Sequence, residues 1–486
     1  MVVASRRVAE VSGRGLVWLP IVAVAGVLGR FAARRGDAEV VVLLLVALVV
    51  GLLISEKAVA IVPLIPIVAV SSQWAVPPSV WFGRFAVLGA LAAWALVRGR
   101  LHRRFSFSPL LPVLVVSALT LLTAGNLVLS VQRWISLVFL AGALAYLRGR
   151  WESSSSVLFS DVRMVCLVGG ATGVASVAGF LLAPEKVTTA GRLAGLFWNP
   201  NSIGLVASLT VPGLVALSIC LAGRRRLLWG VLGVGLAVAL VLSGSRGGIV
   251  AAAAGTLAVV VGLGRRHPMR TAVVGVVLVL VAVASILGGI GVRRVPEEHL
   301  LSPIGTASNR LPGAMAAIQM GRQRLLLGRG FGSSDHFFAQ EASRLGAEVP
   351  GAAPHNGYLE AFLDMGLGGV LVLGWVLAAV GLAAWRAVRA FPEEVGAWVV
   401  LGGLVGGAVE SVAESGLLSV GSLFAYPFWL YAYAAVSLGA GEVQPGDRGG
   451  VSGAVTAPNA WPGIADGRLI GRLRVGSRGR AMRVHE

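Results

Sequence analysis

The sequence predicts an all-α fold, a polytopic integral membrane helix bundle, and three observations lead there. Of the 486 residues 56% are hydrophobic and only 13% charged, where a soluble domain carries about a quarter charged residues. Runs such as 40–53 and 271–290 contain no charge at all, and no soluble core absorbs so many runs of this kind. The chain is also rich in glycine and alanine, which suits close helix packing in lipid. Helices are the expected form because they satisfy their own backbone hydrogen bonds where water is absent.

Candidate spans in the first half of the chain are 15–31, 38–54, 58–72, 80–97, 108–124 and 128–147. They continue with 162–182, 201–221, 227–243, 249–263, 271–290, 367–385, 395–413 and 418–439. At the ~20 residues a bilayer requires, these amount to about 12–14 transmembrane helices. Arg6, Arg7 and Arg14 precede the first run with no small-residue cleavage site, so it reads as an uncleaved span.

Arginine placement orients the spans. Arg98, Arg100, Arg103 and Arg104 mark one cytoplasmic loop, and Arg148 with Arg150 mark another. Arg224, Arg225 and Arg226, then Arg265, Arg266 and Arg270, then Arg386 and Arg389 mark three more. Arg30, Arg34 and Arg35 break the alternation, which leaves the topology before residue 71 open. The domain plan is a membrane domain over 1–440 containing one large extracytoplasmic loop, 291–357. A disordered basic cytoplasmic tail follows over 441–486, rich in Gly, Pro and Arg and with little to form a core.

The net charge of +19 sits on arginines in short loops and in the tail. There they set topology and meet anionic lipid, so membrane lipids are expected as partners and nucleic acid is not. Cys166 and Cys220 fall in apolar segments and support neither a disulfide framework nor a thiolate metal site.

The loop 291–357 is the largest polar interruption, and loops of that length are usually functional or disordered. It holds Arg310, Arg322, Arg324, Arg329, Asp335, His336 and His355, and closes on Pro354-His355-Asn356-Gly357. Three further polar interruptions share its side of the membrane: Arg192 to Asn201, Ser243 to Gly248, and Glu410 with Glu414-Ser415. Charge in or near a bilayer costs about 2.5–3.5 kcal/mol on insertion scales and tends to mark function. Their common sidedness argues for one site.

Each candidate has a plain structural role beside the functional one. Arg246 either snorkels to the interface or meets an anionic ligand, and its outer-side position favours the ligand. Arg310 reads equally as a solvated arginine or as part of the site. Arg192 either pairs with Glu185 or caps a helix, or else contacts substrate. Asn201, after Pro200, is placed as a helix cap, and Asn356 as a cap for the helix starting near Tyr358. Arg133 is a polar contact in the bundle or a contact to lipid phosphate. His355 is either a turn residue or an acid–base group, since an imidazole accepts and releases a proton near neutral pH. Guanidinium groups suit phosphate through paired hydrogen bonds, so arginines with one histidine suggest a lipid-linked diphosphate leaving group and a hydroxyl nucleophile. His336, Asp335 and His355 show no recurring metal-ligand spacing. Gly328-Arg329-Gly330-Phe331-Gly332 lacks the Lys-Ser/Thr ending of a phosphate loop and reads as turns.

The ordered set of motifs resembles the O-antigen ligase and O-antigen polymerase superfamily of bacterial membrane glycosyltransferases. It comprises Arg-Leu-x-Gly-Leu-Phe-x-Asn-Pro-Asn from Arg192 to Asn201, Ser245-Arg246, and Arg310 early in the large loop. Gly328-x-Gly330-x-Gly332 and His355-Asn356-x-Tyr358-Leu359 with Gly366 complete it. The resemblance implies a metal-independent glycosyltransferase of the cytoplasmic membrane, without cofactor, whose site faces outward. Such an enzyme moves a glycan from a polyprenyl-diphosphate carrier to a glycan, lipid or protein hydroxyl. Carried over, it assigns Arg246 and Arg310 to the diphosphate and His355 to the acceptor. Arg192, Asn201, Asn356 and Glu414 become substrate-binding candidates, with Glu414 toward sugar. Polymerisation of surface polysaccharide or O-antigen repeat units is the preferred activity, with O-antigen ligation or protein O-glycosylation as alternatives. A lipid-linked oligosaccharide flippase is the reading from another class; it would distribute charge along a midplane cavity rather than on outer loops.

Overall fold

The computed structural model describes residues 59–71, 78–97, 108–152, 154–189, 191–264, 266–276, 305–344 and 354–440. These fall within one compact unit, Met1–Asp447. The expected spans 15–31 and 38–54, the arginine loop near 98–104, most of 271–290 and the tail 441–486 lie outside them.

The described chain is helical nearly throughout. It begins with α1 (Leu64–Ser71), α2 (Pro78–Val97), α3 (Leu111–Thr120), α4 (Leu127–Trp151) and α5 (Ser155–Leu182). A two-residue hairpin follows, β1 (Thr188–Thr189) against β2 (Arg192–Leu193), with Thr189 opposite Arg192. Next come α6 (Pro200–Cys220), α7 (Gly223–Leu242) and α8 (Arg246–Gly264). Two helices stand in the large loop, α9 (Gly305–Arg322) and α10 (Ser334–Arg344), and α11 (Gly357–Ala390), α12 (Val395–Ala413) and α13 (Ala425–Gly439) complete the set. Among the described residues seven helices, α4 to α8 with α11 and α12, are long and apolar enough to cross a membrane. The chain is therefore an all-α, multi-pass membrane bundle.

At its centre α6, α8 and α12 pack backbone to backbone. In α6 89% of the most apolar window is buried and in α12 78%, against 28–44% in the other five spans. Small residues permit this closeness. A Cβ at Gly248 would stand 2.3 Å from Cα of Gly204, and one at Gly406 would stand 2.0 Å from the Ser208 carbonyl oxygen. Between helices in lipid there is no hydrophobic driving force, so such dense van der Waals contact is what holds them. On the flank, α13 buries Tyr426, Trp429, Tyr431 and Tyr433 completely. Their polar tips find partners: Tyr426 Oη donates to the Ala60 carbonyl at 2.8 Å and Trp429 Nε1 to that of Leu417 at 2.8 Å.

The two ends of this core differ in character. At one end Arg266 is ion-paired with Glu393, and Arg270 donates to the Ile219 carbonyl at 2.9 Å. That is the arginine-rich end the loop charges led us to expect. Arg148 and Arg150 are an exception to that picture. They close α4 rather than sit in a loop, and are buried to 2% and 8% exposure beside Trp151, which donates to Asp161 at 2.8 Å.

α11 departs from the sequence expectation of a span at 367–385. It starts ten residues earlier, capped by Asn356, whose Oδ1 accepts from the amides of Tyr358 and Leu359 at 3.0 Å. It is broken at Gly366 (φ 64, ψ −159). The break separates the carbonyls of Leu363 and Asp364 from the amides of Leu367 and Gly368, which a continuous helix would pair. Loop residues take up all four groups. The Leu363 and Asp364 carbonyls accept from Arg329 and Gly330 at 2.9 and 3.0 Å, and Leu367 and Gly368 donate to Leu325 and Leu326 at 2.8 and 3.3 Å. None of these four groups is left to lipid, as their setting demands. α13 likewise starts later than expected, at 425 rather than 418, because the Ser- and Gly-rich stretch 415–422 folds as turns.

Candidate functional site

Four of the seven candidate residues meet at the end of the core opposite Arg266 and Glu393. Arg192 is delivered by β2, after a turn at Gly191 (φ 71). Its Nε donates to the Ser243 carbonyl at 2.7 Å and its Nη2 to Asn201 Oδ1 at 2.8 Å. Asn201 Nδ2 donates to Glu414 Oε1 at 2.7 Å, and Glu414 Oε2 lies 3.2 Å from Nδ1 of His355. An unbroken polar chain thus runs from Arg192 through Asn201 and Glu414 to His355, joining segments more than 160 residues apart in sequence.

Local structure explains why each link is where it is. The cap of α6 is Asn199, whose Oδ1 accepts from the Asn201 amide at 2.9 Å. The capping role expected of Asn201 therefore belongs to Asn199, and the Asn201 side chain joins Arg192 to Glu414 instead. Glu414 follows the last residue of α12 in extended conformation and is 90% shielded at its side chain. His355 alone among the described non-glycine residues has positive φ, 49°. That left-handed backbone is uncommon outside glycine and is found where surrounding contacts over-determine it. Here they do. The next residue, Asn356, caps α11, donates its backbone amide to Ser415 Oγ at 3.1 Å, and sends Nδ2 to the Val412 carbonyl at 2.9 Å. Tyr358 Oη donates to the Ala408 carbonyl at 2.9 Å. The start of α11 is thereby stitched to the end of α12, and the His355 ring is presented to Glu414.

Arg246 is exposed and is the first residue of α8. Its neighbours lock it onto the same cluster. A Cβ at Gly244 would lie 3.5 Å from Arg192 Nε, and one at Gly247 would meet Ala413 Cβ at 2.5 Å and the Glu410 carboxylate at 3.5 Å. Glu410 itself is fully buried. A cation at a helix N-terminus, where the backbone amides point outward, is a setting that favours anions. Arg310 lies on α9, and the structure describes only its place on that helix. α9 in turn packs on the first half of α11 through Ala316, Ala317, Met320 and Leu363. Among the described residues no group of three or more His, Cys, Asp or Glu is placed to hold a metal ion.

The glycine run 328–332 is a chain of left-handed turns, with φ of 65, 103 and 69° at Gly328, Gly330 and Gly332. Its amides face protein: Gly332 donates to Asp364 Oδ2 at 2.7 Å and Ser334 to Asp364 Oδ1 at 2.9 Å. Arg133 lies against it, its Cγ 2.6 Å from where a Cβ on Gly332 would be. Sequence reasoning passes over Asp364. The signal for it is an acid at the start of an apolar run, where charge is costly.

Fold and site together define a multi-pass helical membrane protein with a charged cluster at one end of its core. Residues 231–374 match the family model described as O-antigen ligase. The match runs from α7 into α11 and takes in Arg246, Arg310, His355 and Asn356, while Arg192, Asn201 and Glu414 lie outside it. Over these residues the chain is similar to that family, a likeness that supports a membrane enzyme that transfers glycan. No curated protein matches the chain.

Proposed function

We propose that this protein is a glycosyltransferase of the cytoplasmic membrane that moves a glycan from a polyprenyl-diphosphate carrier to an acceptor hydroxyl on the extracytoplasmic face. Polymerisation of surface polysaccharide repeat units is the reaction we prefer. The observation that carries the proposal is the contact between His355 Nδ1 and Glu414. An ionised carboxylate only accepts hydrogen bonds, so it holds the proton on Nδ1 and leaves Nε2 as the basic nitrogen.

The chemistry then follows. The acceptor oxygen bonds to the anomeric carbon while the bond from that carbon to the diphosphate oxygen breaks, its electron pair leaving with the diphosphate. The acceptor proton passes to Nε2 of His355 and later to water. Arg246 and Arg310 hold the charge growing on the diphosphate, the kind of electrostatic stabilisation that is usually the largest single contribution. Arg192 and Asn201 fix Glu414, which we assign to orienting His355 rather than to the sugar. Asn356 builds the wall that presents the histidine.

The test is a deletion strain complemented with wild type, His355→Ala, Arg246→Ala or Arg310→Ala, each checked for membrane accumulation. A polymerase predicts single lipid-linked repeat units left unextended by the variants. The family description favours a second reading, ligation, which predicts completed polymer left on its lipid carrier. Wild-type behaviour of all three variants overturns both, and cytoplasmic labelling of a cysteine at position 355 overturns the outward face.

A further inference from the structure

We propose that Asp364 is a positioning residue for this reaction: its carboxylate clasps the loop 325–334 into the break in α11 and so fixes α9, with Arg310, relative to His355. The inference rests on the functional reading above only for what is being positioned; the clasp itself is a matter of geometry.

The broken helix supplies the frame. Nine residues after His355 in sequence, Asp364 is 3% exposed and receives two loop amides, one on each carboxylate oxygen. The second of these, Ser334, is the first residue of α10, so the acid also lies at that helix's positive end. Around it, the four backbone groups released at Gly366 are all taken by residues 325–330. The loop is a surrogate turn of α11, and the Asp364 side chain holds it from both of its oxygens. Immediately upstream, α9 ends at Arg322 and rests on α11, where a Cβ at Gly321 would stand 2.2 Å from the Phe362 ring. α10 returns Phe338 to the same small core as Met320 and Leu363. Releasing residues 325–334 would therefore free both loop helices, while His355 would stay against Glu414 and its neighbour Asn356 on Ser415.

A carboxylate suits this task and its amide does not. Asparagine has the same shape but one oxygen, and its amide group would face a second N–H donor. Glutamate is a methylene longer but accepts from both. Were Asp364 needed for packing alone, the isosteric Asp364→Asn would be the milder change. Were it needed as a double acceptor, Asp364→Glu would be the milder one.

The experiment has two readouts on the full-length protein. The first is the rate of surface polysaccharide formation in the complemented deletion strain, per amount of protein in the membrane. The second is maleimide labelling of Ser334→Cys in detergent-solubilised protein with Cys166→Ala and Cys220→Ala. Ser334 is 0% exposed and its hydroxyl makes no hydrogen bond among the described residues, so the probe replaces none of their contacts. We expect Asp364→Asn and Asp364→Ala to lower the rate at least tenfold and raise labelling at 334 at least tenfold, with Asp364→Glu restoring much of both. Loss of rate with the cysteine still protected assigns Asp364 to the chemistry and overturns positioning. Free labelling with full rate shows that the clasp does not matter to turnover and overturns it as well. So does Asn outperforming Glu. Should the Asp364 variants fail to accumulate, Ser334→Pro removes one clasping amide at a first helical position that accepts proline; with the labelled cysteine moved to Ala317→Cys, 0% exposed on α9, it must give the same paired loss. His355→Ala with full activity would instead sink the transfer reading and leave the labelling result standing.

Discussion

Glu414 touches both His355 and Asn201, one with each carboxylate oxygen, at 3.2 and 2.7 Å. One acid thereby fixes the orientation of the histidine and is itself fixed by an asparagine that Arg192 holds in turn.

Glu414→Gln should separate orientation from charge. Its amide group would donate to Nδ1 and drive the ring proton to Nε2, removing the base. Acid–base assistance is worth about 10²–10⁴-fold, and we expect a rate loss in that range, close to that of His355→Ala. Polysaccharide formation per amount of membrane protein measures it; a loss under tenfold would mean that the histidine does not act as a base.

Arg192→Lys keeps the charge but not the fork that reaches Ser243 and Asn201 together. The lost contacts amount to about 1–3 kcal/mol of positioning. We expect turnover to fall roughly tenfold to a hundredfold, short of the loss in Glu414→Gln. The double variant Arg192→Lys with Glu414→Gln should then be no worse than Glu414→Gln alone, because both act through His355.

Arg246 is exposed, so its replacement should leave folding intact while weakening the hold on the diphosphate. Arg246→Ala should accumulate at wild-type level and lose activity, with Arg246→Lys intermediate because a point charge replaces a two-pronged donor. Equal activity of Lys and Ala variants would remove the anion from this position.

Packing at the core predicts a stability contrast between two glycines. Gly406→Ala would drive a methyl group into the Ser208 carbonyl, whereas Gly374 faces open space within 4 Å. Overpacking costs about 1–3 kcal/mol, so Gly406→Ala should lower the unfolding midpoint in detergent by roughly 1–3 °C. Gly374→Ala should leave it unchanged or raise it slightly.

With arginines supplying the positive charge, EDTA treatment of the purified protein should leave turnover unchanged. A loss restored by added magnesium would assign part of that role to a bound cation.

Composition was enough to read the fold class, because apolar runs of bilayer length in such number do not fit a soluble core. The locations of α4 to α8 and α12 followed from those runs. The start of α11 near Tyr358, with Asn356 as its cap, was readable, but its continuity with the apolar run 367–385 was not, because Glu360 and Asp364 make the first turns look like loop. The site was legible as a set of polar interruptions, since Arg192, Asn201, His355 and Glu414 do converge. Their wiring was not. Asn199 and Asn201 are chemically alike and flank the same proline, and nothing in the one-dimensional pattern says which caps and which reaches across to α12. Asp364 escaped because its partners are backbone amides, which carry no residue identity.

The interruption at Gly366 has a consequence for depth. Read as one straight rod, Gly357–Ala390 has 34 residues and would measure about 51 Å, far more than the ~30 Å of hydrocarbon it has to cross. Divided at Gly366, the second part is about 36 Å long, a bilayer's width at ordinary tilt. The first part need not then extend along the membrane normal, and its N-terminus is spared a displacement of about 14 Å into bulk water. A single glycine thus separates the length of α11 that crosses the bilayer from the short segment that carries His355 at its start.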